Sequence, residues 1–286
     1  MTLRDRAHPI GVFDSGIGGL SILQALRAEL PQENFVYLAD SAHAPYGERG
    51  DAYVTDRTRT VTHYLRAQHG IKALVIACNT ATTAAIHHIR AENPDLPLVG
   101  VEPAIKPAVA ISHTGRIGVI GTRGTVTSAK FQTLLASVQP HADFVVQPCD
   151  GLAAAIEASV MLHEGEGAIK IRALCAEYAR AMGPFGLNSG EIDTLVLGCT
   201  HYVFAAPHLR ELLGEAVQFI DTGAPVARQT RRLLTAANSL SSTGTGQVQL
   251  LATGQPDVLH TAATRWLGLR TASHGEAALL GCSLFV

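Results

Sequence analysis

Two five-residue segments of this chain decide its fold: Ala77-Cys78-Asn79-Thr80-Ala81 and Gly198-Cys199-Thr200-His201-Tyr202. Each follows a short apolar run, residues 73–76 in the first case and 194–197 in the second, and each precedes a stretch with the pattern of a helix. A buried strand that runs into a helix is the repeating unit of a parallel α/β sheet. This arrangement places each cysteine at the carboxyl end of a strand, where open α/β sheets bind ligands.

Short apolar runs alternate with longer amphipathic stretches along the rest of the chain, which is typical of βαβ units. We predict strands at residues 10–13, 34–38, 73–77, 98–101, 116–120, 143–147, 194–197, 218–220 and 248–252. Helices are predicted at residues 19–30, 51–69, 80–93, 125–137, 151–162, 167–182 and 222–236. The Ser/Thr/Gly-rich residues 239–247 indicate a loop.

The two halves of the chain resemble each other. Each opens with a glycine-edged strand, before Asp14–Gly19 in the first half and within Gly115–Thr122 in the second, and each later carries a strand that ends at a cysteine. Residues 99–104 are typical of a crossing between the halves. We therefore expect two similar α/β sheets that face each other with a ligand between them, because clefts between domains are preferred ligand sites.

Composition excludes several classes of protein. The 286 residues suit two domains, and a composition of 47% hydrophobic and 16% charged residues can fill sizeable cores. The formal net charge is −2 and the basic residues are scattered, which predicts no nucleic-acid partner. The apolar runs are shorter than the roughly 20 residues of a membrane span, and residues 1–9 lack the apolar core of a signal peptide.

The five cysteines point to a reducing compartment. They are widely spaced, odd in number and without a CxxC pair, which argues against a disulfide framework and favours a cytoplasmic protein. Their positions are 78, 149, 175, 199 and 282. A zinc site from Cys199, His201 and Cys78 would lack the close cysteine pair typical of structural sites, so no metal is expected.

Cys78 and Cys199 are the candidate acid/base groups. A thiol beside helix N–H groups is favoured as the thiolate, and two matched thiols predict two bases that act on opposite faces of one carbon. Asp14 and His201 lie where they could tune these thiols. The alternative for each cysteine is a small buried core residue, and for Asp14 a helix N-cap.

Uncharged polar groups surround the two cysteines in sequence. Asn79, Thr80 and Thr200 can bind carboxylate or ammonium groups without a metal, and Thr125 either binds a carboxylate or caps a helix. The loop of residues 40–47 adds the hydroxyl of Tyr46. The Asp14–Gly19 segment is neither GxGxxG nor a P-loop, so no nucleotide cofactor is expected.

Five segments in order resemble the glutamate racemase family over about residues 9–255. They are Val12–Leu20, Asp40 with Pro45-Tyr46-Gly47, Ala77–Ala81, Gly100–Ala104 and Gly198–Tyr202. The resemblance implies cofactor-independent interconversion of L- and D-glutamate, which supplies D-glutamate for peptidoglycan. It also implies two flavodoxin-like, doubly wound α/β domains with the site between them, formed by residues 1–102 with 218–286 and by residues 103–217. The family is often dimeric, which predicts a homodimer.

The resemblance also implies roles for individual residues. Cys78 and Cys199 are the catalytic pair, assisted by Asp14, by His201 and by Glu157 in the second domain. The substrate-binding residues are Asp14, Ser15, Tyr46, Gly47, Asn79, Thr80, Thr125, Thr200 and His201. Thr82, Glu102 and Val203 depart from the family pattern, and none of them removes a catalytic group.

Three alternatives remain open on sequence. A related racemase that acts on aspartate differs by one methylene in its substrate, which sequence encodes poorly. A non-catalytic amino-acid-binding protein on the same scaffold would need neither thiol. A thiol redox sensor is disfavoured by the wide cysteine spacing.

Overall fold

A computed structural model of the chain describes residues 6–163 and 165–269, so Cys282 lies outside the described residues. The chain divides into two compact units, Met1–Val101 with Gly223–Val286 and Glu102–Thr222. Each unit contains one parallel sheet with helices in the connections. Within the described ranges, every helix is too short or too polar to span a bilayer.

The first sheet has the strand order β4-β3-β1-β2-β9, with every neighbouring pair parallel. Its strands are β1 (Ile10–Asp14), β2 (Phe35–Ala39), β3 (Ala73–Ile76), β4 (Leu98–Gly100) and β9 (Val248–Ala252). All residues of β1, β2 and β3 are buried, as expected for a parallel sheet covered by helices on both faces. The order β2-β1-β3-β4 is that of a doubly wound, flavodoxin-like sheet, and β9 extends it by one edge strand.

The second sheet repeats this order without the extra edge strand. Its strands are β5 (Arg116–Gly121), β6 (Asp143–Pro148), β7 (Thr194–Leu197) and β8 (Gln218–Ile220), arranged in parallel as β6-β5-β7-β8. Strand β5 therefore corresponds to β1 and β7 to β3. The two central pairs, β1/β3 and β5/β7, flank the points where the connections switch sides of the sheet, which is where such folds bind ligands.

Helices fill the connections in both units. In the first unit they are Leu20–Glu29, Asp51–His69, Asn79–Glu92, Gly223–Ala236 and Pro256–Leu267. In the second they are Ile105–Ile111, Arg123–Val126, Ala129–Ala136, Leu152–Ser159, Glu166–Met182 and Ala206–Leu213. Short 3₁₀ segments cover Ser41–His43, Tyr46–Glu48, Gln139–His141 and Thr200–Ala205.

The structure differs from the sequence-based expectation in three places. Strand β8 pairs with β7, so residues 218–220 belong to the second sheet and not to the first domain, to which we assigned them. The helix expected over residues 125–137 is broken, because the Ser128 hydroxyl accepts the Phe131 N–H at 3.1 Å and caps a new helix. Helices at residues 105–111 and 256–267 were not predicted, and the helix expected directly after Cys199 begins only at Ala206.

Candidate active site

Cys78 lies at the N-cap of the helix Asn79–Glu92, directly beyond the carboxyl end of β3. Its Sγ accepts the backbone N–H of Ala81 at 3.4 Å, and 6% of the residue is exposed. The helix N-terminus carries partial positive charge, which favours negative charge on the sulfur. The fold thus places this thiol where it can ionise.

Asp14 is the last residue of β1, the strand beside β3, and is linked to the Cys78 thiol through Ser15. The Cys78 thiol donates to Ser15 Oγ at 3.7 Å, and that hydroxyl donates to Asp14 Oδ1 at 3.4 Å. Asp14 is fully buried, and its Oδ1 also accepts the Gly16 N–H at 2.7 Å, so it closes a turn and does not cap a helix. Gly19 permits this packing, since a Cβ there would lie 2.7 Å from the Asp14 Cβ.

The side chain of Asn79 is the strongest sign of a ligand in the first unit. The residue is 4% exposed, and among the described residues neither its Oδ1 nor its Nδ2 has a hydrogen-bond partner. A buried amide without partners costs free energy that a bound polar ligand would recover. The neighbouring Thr80 is also buried. These positions follow the thiol along the first turn of the same helix.

The Tyr46–Gly47 segment borders the same core cluster as Cys78. Tyr46 is buried, belongs to that cluster and donates its hydroxyl proton to Asp40 Oδ2 at 2.5 Å. Burial, then the negative charge of Asp40, raises the pKa of Tyr46 far above its usual value, so the phenol stays neutral. Gly47 is half-buried.

Cys199 occupies the equivalent position in the second unit, beyond the carboxyl end of β7. It is also 6% exposed, but it is followed by the 3₁₀ segment Thr200–Ala205 instead of the α-helix that we expected. Within the part of the chain that the structure describes, its thiol makes no capping bond to that segment. Its Sγ lies instead 3.7 Å from Nδ1 of His201.

His201 connects Cys199 to Glu157. Its Nε2 lies 2.8 Å from Oε1 of Glu157, which projects from the helix Leu152–Ser159. Burial lowers the pKa of His201, but hydrogen bonds to Cys199 and Glu157 outweigh burial and raise the pKa well above its ordinary value. Both hydrogen bonds therefore favour the protonated ring, in which both nitrogens are donors.

Two tyrosines hold the turn that leads into the Glu157 helix. The Tyr202 hydroxyl donates to the carbonyl of Cys149 at 3.0 Å, and the Tyr178 hydroxyl donates to the carbonyl of Asp150 at 2.6 Å. Both carbonyls lie just before the helix Leu152–Ser159. The tyrosines therefore fix where Glu157 meets His201.

The remaining predicted residues of the second unit, Thr200 and Thr125, are buried. Thr200 is 4% exposed and follows Cys199 directly. Thr125 is fully buried inside the short helix Arg123–Val126, where its Oγ1 accepts from Thr122 Oγ1 at 3.0 Å. Thr122, and not Thr125, occupies the N-cap of that helix.

The structure thus gathers the predicted residues into two groups at strand carboxyl ends. The first unit holds Asp14, Ser15, Tyr46, Gly47, Cys78, Asn79 and Thr80, and the second holds Thr125, Glu157, Cys199, Thr200 and His201. Cysteines 78, 149, 175 and 199 are free thiols. Among residues 6–163 and 165–269, no three His, Cys, Asp or Glu side chains come together to form a group that could hold a metal ion.

Sequence reasoning missed two residues that bind Asp40, the carboxylate that accepts the hydroxyl proton of Tyr46. Arg57 and Thr253 both bind the carboxylate of Asp40, which in turn holds Tyr46. Arg57 lies in the middle of an amphipathic helix, and Thr253 follows the last strand of the first sheet. Neither position carries a motif, because each contact joins Asp40 to a different secondary-structure element, 17 residues away for Arg57 and 213 for Thr253.

The chain belongs to the Asp/Glu/hydantoin racemase family, whose model it matches over residues 20–230. It is 45% identical over 234 residues to a glutamate racemase of Pseudomonas syringae pv. tomato, covering 82% of this chain and 81% of the relative. The predicted family, enzyme class (isomerase) and α/β fold are confirmed.

Solved structures agree with this relationship. Glutamate racemase isoform RacE1 from Bacillus anthracis is similar with a TM-score of 0.78 and 29% identity, covering 93% of this chain and 96% of that one. The Escherichia coli glutamate racemase in complex with L-glutamate and the activator UDP-MurNAc-Ala has a TM-score of 0.78 and 28% identity, with coverage of 90% and 95%.

Proposed function

We propose that this chain is a glutamate racemase that interconverts L- and D-glutamate with two cysteine bases and no cofactor. The single observation that carries the proposal is the pair of buried thiols, Cys78 and Cys199, at corresponding strand ends of two sheets with the same strand order. Inversion at a carbon needs one acid/base group on each face, and the chain supplies two of matching kind. Its similarity to curated glutamate racemases supports the substrate.

The chemical step moves one proton off and another on. The thiolate of one cysteine takes the Cα proton of glutamate and becomes a thiol, and the electron pair is delocalised into the α-carboxylate. The thiol of the other cysteine then donates its proton to the opposite face of Cα and becomes the thiolate. The two cysteines exchange roles for the reverse reaction, so each must be stable in both protonation states.

His201 and Glu157 assist Cys199. The imidazolium offers its Nδ1 proton toward Sγ, which stabilises the thiolate, and Glu157 balances the imidazolium from the other side. Because the imidazole of His201 is buried, its charge acts strongly on the sulfur. Cys199 therefore has a fully charged partner for its ionised state.

Asp14 and Ser15 assist Cys78. The line of hydrogen bonds from the thiol to Ser15 and on to Asp14 orients the S–H bond and gives its proton an acceptor. In the ionised state the Ala81 N–H and the helix N-terminus take over as partners of the sulfur. Both protonation states of Cys78 thus have hydrogen-bond partners.

The substrate is bound by polar groups around each thiol, most of them uncharged. The unsatisfied amide of Asn79 offers one acceptor and two donor hydrogens. Thr80, Thr125, Thr200, Tyr46 and Gly47 supply hydroxyl or backbone groups at the same strand ends, and Ser15, Asp14 and His201 complete the set. These residues bind the carboxylates and ammonium of glutamate without a metal.

The biological setting follows from the same assignment. D-Glutamate made by the chain supplies peptidoglycan synthesis, and this requires a cytoplasmic enzyme with reduced thiols. The free state of Cys78 and Cys199 supports such a compartment. We propose a homodimer as the assembly, which size-exclusion chromatography with light scattering would test.

The experiment that tests the function follows optical activity in deuterated water without added cofactor. L-Glutamate, D-glutamate and L-aspartate are incubated separately with the purified chain, and circular dichroism is recorded together with deuterium content at Cα. We expect the signal of both enantiomers to decay to zero while deuterium enters Cα. Decay with aspartate alone would change the substrate, and absence of decay with either amino acid would contradict racemisation.

A further inference from the structure

The carboxylate of Asp40 is buried and receives four hydrogen bonds. Arg57 donates from Nε to Oδ2 at 3.0 Å and from Nη2 to Oδ1 at 2.9 Å, Tyr46 donates to Oδ2 at 2.5 Å, and Thr253 donates to Oδ1 at 2.9 Å. Asp40 is 0% exposed and Arg57 is 7% exposed. A carboxylate has about four acceptor positions, so this one is saturated.

The four side chains come from separate segments of the first unit. Asp40 follows β2, Tyr46 begins a 3₁₀ turn, Arg57 lies in the helix Asp51–His69, and Thr253 follows β9. Thr253 is 213 residues away from Asp40 in sequence. Four separate segments of the first unit therefore converge on the carboxylate of Asp40.

A buried ion pair of this kind is a poor source of stability. Removing two charges from water costs roughly what their attraction returns, and apolar side chains of the same volume often stabilise a core as well. What Arg57 and Asp40 provide instead is a fixed geometry, because a bidentate guanidinium admits one orientation of the carboxylate. The fixed carboxylate in turn fixes the Tyr46 hydroxyl, which donates to it.

The Tyr46 side chain is held on several sides. Its ring lies 6.2 Å from that of Phe13 and 6.5 Å from that of Tyr53, centroid to centroid, and it shares a core cluster with Cys78. Its proton is committed to Asp40, so its oxygen can only accept a further hydrogen bond. The orientation of Asp40 therefore decides where this acceptor and the adjoining Gly47 backbone stand.

We propose that Arg57, Asp40 and Thr253 form a positioning cluster that fixes Tyr46 and the adjoining Gly47 for substrate binding beside Cys78. This inference rests on the proposed function, in which Tyr46 and Gly47 contact glutamate. The cluster touches no reacting atom and acts through Tyr46. It therefore sets how well glutamate is held, and leaves the proton transfers to the cysteines.

A double-mutant cycle of Arg57→Gln and Tyr46→Phe tests the cluster. We expect each single variant to raise KM for both enantiomers by about tenfold, a size typical of coupled contacts, with kcat changed far less. The KM of the double variant is expected to be no higher than that of Tyr46→Phe alone, because Arg57 acts through the hydroxyl that Tyr46→Phe removes. Arg59→Gln is the matched control, since Arg59 lies on the same helix and pairs with Glu92.

Thr253→Val provides the same test with a milder change, since it removes one of the four hydrogen bonds and keeps both charges. Thermal unfolding of every variant shows whether it is folded at the assay temperature. Independent, multiplicative effects of Thr253→Val and Tyr46→Phe on KM would overturn the cluster, and so would a loss in kcat at unchanged KM. Wild-type protein that fails to racemise glutamate would instead contradict the proposed function.

Discussion

At Cys78 the sulfur meets a backbone N–H at the start of an α-helix and a serine hydroxyl, whereas at Cys199 it meets an imidazolium that is paired with a carboxylate. The two strands that carry these cysteines hold equivalent places in their sheets. The fold therefore places the two thiols at equivalent positions, and the local sequence determines which groups stabilise the charge of each sulfur.

The difference separates two ways of supporting the same chemistry. Helix dipoles and hydroxyls are present at every pH, so the surroundings of Cys78 change little over the neutral range. The support of Cys199 depends on the proton of His201 and disappears when that proton is lost. The alkaline limit of activity should therefore originate in the second unit.

The largest expected effect comes from removal of either sulfur. Cys78→Ser and Cys199→Ser should each lower kcat for racemisation by at least about 10³-fold, because inversion needs both acid/base groups. Cys175→Ser is the matched control, since Cys175 is buried in the second unit and has a pKa raised to about 11 by burial. Near-normal racemisation in either catalytic variant would contradict the two-base mechanism, provided that circular dichroism shows native folding.

The next largest effect distinguishes the assistants of the two thiols. His201→Gln should lower kcat/KM by about 10²-fold and Asp14→Asn by about tenfold, because only His201 supplies a full positive charge to the sulfur. Enantiomers have equal free energies, so kcat/KM must fall equally in the two directions. The asymmetry between the two sites then appears as a difference in the primary deuterium isotope effect between L- and D-glutamate. If each variant gives the same isotope effect with both enantiomers, His201 and Asp14 do not assist different cysteines.

A smaller effect concerns the pH dependence of the second unit. Glu157 is one of the groups that raise the pKa of His201, so Glu157→Gln should move the alkaline loss of kcat/KM to lower pH. At low pH, where His201 stays protonated in both proteins, the variant should lose only about tenfold. Glu166→Gln, at an exposed position of the next helix, is the control and should leave the profile unchanged. If the alkaline loss of kcat/KM stays at the same pH in Glu157→Gln, that loss does not arise from deprotonation of His201.

The smallest expected effect belongs to Ser15. Ser15→Ala removes one neutral hydrogen bond to Cys78 while the Ala81 N–H remains, so kcat should fall only about threefold, the value of a weak hydrogen bond. The pH profile should stay unchanged because no ionised group is lost. A fall as large as that of Asp14→Asn would mean that Asp14 acts entirely through this hydroxyl, and steady-state kinetics on both variants measures it.

Sequence alone was most informative where the apolar pattern was strong and local. Strand β7 and the helix Asp51–His69 were predicted to the residue, and both cysteines lie at strand ends as expected. The sheet that accepts β8 was not predictable, because a three-residue strand can extend either sheet and pairing is decided by distant neighbours. The 3₁₀ geometry after Cys199 was missed for a similar reason, since its polar and apolar residues fit either kind of helix.

The motifs of the candidate site were predictable from the sequence, and the hydrogen bonds that link its residues to other elements were not. Cys78, Asn79 and His201 stand in recognisable segments, and the resemblance to a known family supplied Glu157. No pattern pointed to Arg57 or Thr253, because their contacts with Asp40 join different secondary-structure elements, and Thr253 is 213 residues away from Asp40 in sequence. Such contacts exist only after the sheet has formed.

The first unit is assembled from the two ends of the chain around a second unit that is continuous. The edge pairing of β2 with β9 joins Phe35 to Val248 and cannot form on the ribosome until residues 248–252 have emerged. The second unit carries no such dependence. During synthesis, the second unit can therefore fold before the first unit is complete, and the carboxylate of Asp40 lacks its hydrogen bond from Thr253 until β9 and Thr253 have been made.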